Sequence, residues 1–125
     1  MVKTLVSVLL SLIVIVGAAF AENAYLRSEF TEFGEALETL YDKTEEKTAN
    51  AEDGKAVRDM WYQKKKTLHI LVPHTSISYV DYWLDEAIGL IRVQSYDAAR
   101  AKIEVLLDVC ANLPGGYAIS LENIF

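Results

Sequence analysis

The side chains with the widest chemical reach in this chain are three consecutive lysines, two histidines and one thiol: Lys64-Lys65-Lys66, His69 and His74, and Cys110. A lysine run can hold a phosphate or a carboxylate, and a histidine pair can bind a metal or move a proton. The two histidines are five positions apart and straddle Pro73, which ends a helix between them, so they share no helical face. No Glu-x-x-His pair is present, which a di-metal site in a helical bundle requires. Neither Cys-x-x-Cys nor Cys-x-x-Cys-His occurs, and the same holds for Gly-x-Ser-x-Gly, a phosphate-binding glycine loop and Ser-x-x-Lys. Asp85 and Glu86 are neighbours in sequence and cannot oppose one another across a cleft. The chain therefore reads as a non-enzyme, with no catalytic residue, no cofactor and no metal ligand assigned. His74 is expected to cap the turn around Pro73.

The lysine run belongs to a wider basic stretch. Residues 54–72 hold Lys55, Arg58, Lys64, Lys65 and Lys66 against Asp59 alone. The segment before it is acidic, so pairing between two neighbouring helices is the first expectation and an anion or partner site the second. Exposed pairs of this kind each contribute at most about 1 kcal/mol. Trp61, Tyr62, Tyr79, Tyr82 and Trp83 concentrate aromatic surface nearby. Such residues fill a small core or anchor a partner. Cys110 falls on an apolar helical stripe, where an inert buried thiol is expected, and a single cysteine permits no internal disulfide.

Four helices are needed to place these groups. In the first, over residues 22–47, Leu26, Phe30, Phe33, Leu37 and Leu40 step by four and three along one seam. Glu29, Glu32, Glu35, Glu38, Asp42, Glu45 and Glu46 lie opposite, and Gly34 marks a close helix crossing. Asn50 with Asp53 reads as the N-cap of a second helix running to about Val72, with Val57, Trp61, Leu68 and Leu71 inward. Lys64 stands where that seam calls for an apolar residue. A third helix starts near Ser76 or Ser78, with Ser78 and Asp81 resembling a capping box, and turns Ile77, Val80, Leu84, Ile88 and Ile91 inward. Ser95 caps a fourth over residues 96–112, whose inner face is Ala99, Ile103, Leu106, Cys110 and Leu113, and Pro114-Gly115-Gly116 stops it. The apolar tail 117–125 is expected to dock back on the bundle. No segment alternates as a strand does. The fold class is all-α: an antiparallel three- or four-helix bundle preceded by an N-terminal membrane or signal helix.

That N-terminal helix decides location. Residues 4–21 are uncharged and rich in Val, Leu and Ile, after Lys3 and before Glu22. Eighteen residues span roughly 27 Å, enough for a thin hydrocarbon core. Two fates fit: cleavage after Ala21, where Ala19-Phe20-Ala21 offers a small-x-small site behind Gly17, or retention as a single-pass anchor. The charge flanks favour an inside N-terminus and an outside domain. The chain thus divides into a leader, residues 1–21, and an extracytoplasmic helical domain, residues 22–125. Without Lys3, eleven basic residues face eighteen acidic ones, a net charge of −7. Such a domain repels nucleic acid.

Trp61 with Lys64-Lys65-Lys66 and Leu68, His74, residues 80–91, the Tyr96-Asp97-Ala98 turn and the ending Ser120-Leu121-Glu122-Asn123-Ile124-Phe125 together carry a resemblance. The chain resembles the family catalogued as domain of unknown function 4363, small proteins of Gram-positive-type bacteria. The resemblance covers nearly the whole chain and implies a single-pass, N-terminally anchored protein with a helical outer domain. That family has no assigned activity, so no catalytic residue follows from it. The expected role is an interaction module or accessory subunit of a membrane complex, with a membrane-protein partner. The alternative is an extracytoplasmic sensor for a small anion. Candidate interaction residues are Trp61, Lys64, Lys65, Lys66, His74, Tyr79, Trp83 and Asn123.

Overall fold

The computed structural model describes residues 1–116, which form four helices and, among the described residues, no strand. They are α1 (Val2–Glu45), α2 (Ala51–Leu71), α3 (His74–Arg92) and α4 (Tyr96–Gly116). The tail 117–125 and its candidate Asn123 lie outside the described residues, as does the expectation that the tail docks.

The apolar leader and the first packed helix are one element. α1 runs unbroken through Gly17, because a single glycine costs a helix only about 1 kcal/mol. Its first stretch, 2–25, has no buried residue; burial begins at Leu26. The exposed part is long and apolar enough for a membrane anchor or a signal sequence. The rest of α1 packs on α2 and α4, and α3 packs on the same two helices from the other side. The four therefore form a helical bundle around one core. Every apolar residue expected inward on α1, and all five on α3, are buried. Leu71 and Leu113 are only half-buried.

The connections explain the boundaries. Asn50 and Asp53 form a reciprocal capping box: Asp53 N–H donates to Asn50 Oδ1 and Asn50 N–H to Asp53 Oδ2, both at 3.0 Å. Two residues beyond the ends of α1 and α3 stand residues of left-handed backbone, Lys47 and Gln94, each with φ 61°. In each case the following N–H reaches five residues back, Thr48 to Lys43 O (2.8 Å) and Ser95 to Leu90 O (2.9 Å), closing the last turn without a glycine.

Two boundaries differ from expectation. α3 begins at His74, not at Ser76 or Ser78. Pro73 precedes it with φ −56° and ψ 144°, and its carbonyl accepts from Ser76 and Ile77 N–H. Pro73 thus occupies the N-cap position, where its missing N–H leaves no helical bond unmade. Asp81 is consequently well inside α3 and free for another task. α4 continues past Pro114 to Gly116 rather than stopping near Asn112. Pro114 removes one backbone donor, yet the described helix runs two residues beyond it.

Candidate functional site

The lysines and Trp61 lie along α2, and the geometry separates them. Trp61 is fully buried, with its ring 5.0 Å from that of Phe33 and 6.4 Å from that of Phe30. Its indole Nε1–H donates to Asp81 Oδ1 at 2.6 Å. Lys65 Nζ donates to the same carboxylate at 3.3 and 3.1 Å and lies 4.6 Å above the Tyr62 ring. Asp81 thus joins a core tryptophan to a half-buried lysine across α2 and α3.

Lys64 is one residue from Lys65 and faces another way. Only 8% of its surface is exposed, and its ammonium meets Glu32 at 2.9 Å and Glu29 at 3.4 Å on α1. This is the expected pairing between acidic first helix and basic second helix, made from a position in the apolar seam. Lys66 is exposed, with Gln63 Oε1 at 3.5 Å. The three lysines therefore point to three environments and do not converge on one anion.

Aromatic residues divide likewise. Tyr79 and Tyr82 are exposed on α3 and stack edge-on against half-buried Trp83, at centroid distances of 5.9 and 5.7 Å. Lys102 of α4 lies 4.6 Å over the Trp83 ring and 3.4 Å from Glu86. Asp85 faces α2 instead, 3.2 Å from Arg58. The adjacent acids Asp85 and Glu86 thus serve different helices. Tyr79 also lines an open groove of about 640 Å³ between the start of α3 and the end of α4, with Thr75, Val105, Val109 and Leu113. Its walls are mainly apolar.

His74 is the first residue of α3, and its side chain makes no capping bond to the backbone there. Its Nε2 lies 3.4 Å from Ser78 Oγ, one turn along the same helix. The expected cap is not formed: Pro73 takes the N-cap position without a side-chain bond, and the imidazole is at the surface. Among the described residues no group of three His, Cys, Asp or Glu side chains is placed to hold a metal ion.

Three partners emerge that sequence reasoning had not placed. Asp81 follows Ile77 by four and precedes Leu84 by three, so it sits at seam spacing, as Lys64 does; a charge at an apolar register position was the available signal. Lys43 Nζ meets Asp53 Oδ1 at 2.9 Å, and this bond, with that from Asn50 N–H, holds the Asp53 carboxyl below its ordinary range. Tyr41 Oη donates to Glu104 at 2.9 Å, linking α1 to α4; that bond raises the phenol above its usual range. Cys110 is buried, and burial pushes its thiol up to about 12. A Cβ built on Gly34 would lie 3.7 Å from Cys110 Cβ, which locates the expected close crossing between α1 and α4.

Comparison of the chain with protein-family models, with curated proteins and with solved structures gives no match.

Proposed function

We propose that this protein is a membrane-anchored, extracytoplasmic helical module that binds another membrane protein as an accessory subunit, without catalysis of its own. One observation carries the reading: α1 joins an unpacked apolar segment to a packed amphipathic one with no break between them. A bundle built this way is rigidly coupled to its anchor, so it presents its surfaces at a fixed height above the membrane. Opposed contacts support an antiparallel, up-down arrangement. Between Asp53 and Lys64 α2 advances eleven residues, while their partners on α1 retreat eleven, from Lys43 to Glu32. The exposed Tyr79 and Tyr82 beside Trp83 supply a partner-facing surface of the right chemistry. The resemblance to the domain of unknown function 4363 family points the same way.

The alternative, a small-anion sensor built on the lysine run, would require an anion to displace Glu29, Glu32 and Asp81 from Lys64 and Lys65. A thermal-shift series with phosphate, sulfate and carboxylates tests it.

The anchored reading is tested by expressing the full chain in a Gram-positive host, fractionating the cells and measuring intact mass. Membrane-bound protein of full mass is expected, and crosslinking should then capture a membrane protein. A soluble exported product beginning at Glu22 would overturn the anchor.

A further inference from the structure

We infer that the α2–α3 turn rests on the lipid bilayer beside the emerging α1, with Ile70 entering the interfacial layer of the membrane. This rests on the anchored reading above and goes further, because it assigns a second membrane contact in a different part of the chain.

Register carries the inference. α2 is fixed against α1 by Lys43 with Asp53, by Phe33 with Trp61 and by Glu32 with Lys64. Each step toward the end of α2 is matched by a step back along α1. From Lys64 to Ile70 is six residues, about 9 Å of helix. The same distance back along α1 from Glu32 reaches residue 26, and from Glu29 it reaches residue 23. Pro73 then falls level with residues 20–23, where the apolar run gives way to Glu22. Packed helices lie about 8–10 Å apart. The turn therefore sits beside α1 at the height where α1 passes from lipid to water.

The side chains at this height suit that place. Ile70 is 73% exposed, and Tyr25 of α1 is exposed at the same level. Aromatic rings at the end of a span belong to the headgroup layer. Lys66 lies one turn behind Ile70 on the same face, and a lysine stem covers apolar surface while its ammonium reaches headgroup phosphate. Val93, almost as exposed, lies in the α3–α4 turn at the far end of the bundle. Because Glu22 and Glu29 are also at the near end, the attraction is apolar and short-ranged and needs no anionic lipid.

The test uses the full chain in phosphatidylcholine vesicles, with an environment-sensitive dye attached at Ile70→Cys or at Val93→Cys. Cys110 is buried and stays in place. Both substituted positions are exposed, so the fold tolerates the changes. Flotation with the vesicles is measured first, then quenching by lipids carrying a spin label near the headgroup. The expected result is a blue-shifted dye at position 70, quenched several-fold more than the dye at position 93. Equal quenching in protein that floats would overturn the turn contact and leave the anchor standing. Protein that does not float would overturn the anchored reading and this inference together.

Discussion

Trp61 of α2 gives its indole N–H to Asp81 of α3 at 2.6 Å, and the same carboxylate holds Lys65. A fully buried indole donor needs an acceptor, and a half-buried carboxylate needs a cation or donors; here each requirement meets the other. Asp81→Ala should cost about 2–3 kcal/mol, because it strands a buried donor as well as removing two bonds. Asp81→Asn keeps an acceptor for Trp61 and weakens only the lysine contact, so about 1 kcal/mol is expected. Urea denaturation of the full chain in detergent, followed by tryptophan fluorescence, separates the two. Equal losses for both variants would show that the charge, not the Trp61 bond, matters.

Two glycines in the bundle should respond to alanine with opposite signs. At Gly34 the new Cβ would sit 3.7 Å from Cys110 Cβ, an ordinary contact. Gly34→Ala should therefore gain about 0.5–1 kcal/mol of helix stability. At Gly54 the Cβ would lie 3.2 Å from both Cγ1 and Cγ2 of Ile88. Ile88 is fully buried and stiff at its β-branch, so it has no room to yield. Overpacking at about 1–3 kcal/mol exceeds the helix gain, and Gly54→Ala should destabilise. Thermal melts of the two variants decide this, and a shared sign would refute it.

Lys64 occupies a seam position that packing alone would give to leucine. Its two carboxylates are unequally placed, Glu29 19% exposed and Glu32 58% exposed, so both reach water if the lysine goes. Taking an ammonium out of water offsets much of what such a pair contributes. Lys64→Leu should accordingly be neutral or stabilising by up to about 1 kcal/mol, whereas Lys64→Ala should lose about 1–2 kcal/mol of packing. Denaturant midpoints for the pair of variants check this. A large loss for Lys64→Leu would show that the ion pairs dominate.

The core of the bundle was readable from spacing, because apolar side chains at helical intervals have one way to leave water. Leu26, Phe30, Phe33, Leu37 and Leu40 illustrate it: all five are buried. The polar network was less readable for a physical reason. Ser78 and Asp81 satisfy the local pattern of a capping box, yet Asp81 bonds a tryptophan twenty residues away, and no local rule carries that information. Lys64 and Asp81 both interrupt an apolar stripe, and each proves to be one half of a cross-helix pair. The aromatic concentration held two populations that composition cannot separate. Trp61 faces inward, while Tyr79 and Tyr82 remain at the surface, and only register around the helix distinguishes them. The continuity of α1 through Gly17 was legible only as one of two fates, since cleavable leaders and stalks share the same residues.

Burial pushes the Cys110 thiol up to about 12, against about 8.5 for a thiol in water. The folded state thus binds its proton more tightly than the unfolded state does. The resulting stability is fully present below pH of about 8.5 and is lost as the pH rises from there toward about 12. At pH 10 the loss should be about 2 kcal/mol, since each pH step above the unfolded value costs about 1.4 kcal/mol. Denaturation midpoints between pH 7 and pH 10 measure it, with Cys110→Ala as the control that should flatten this part of the slope. Tyr41, whose bond to Glu104 also raises it, contributes the same sign in both proteins and drops out of the comparison. The thiol should also resist alkylation at pH 8 until the chain unfolds, so that labelling follows the unfolding rate. Rapid labelling of native protein would place Cys110 at the surface and overturn the packing of α1 against α4 at Gly34.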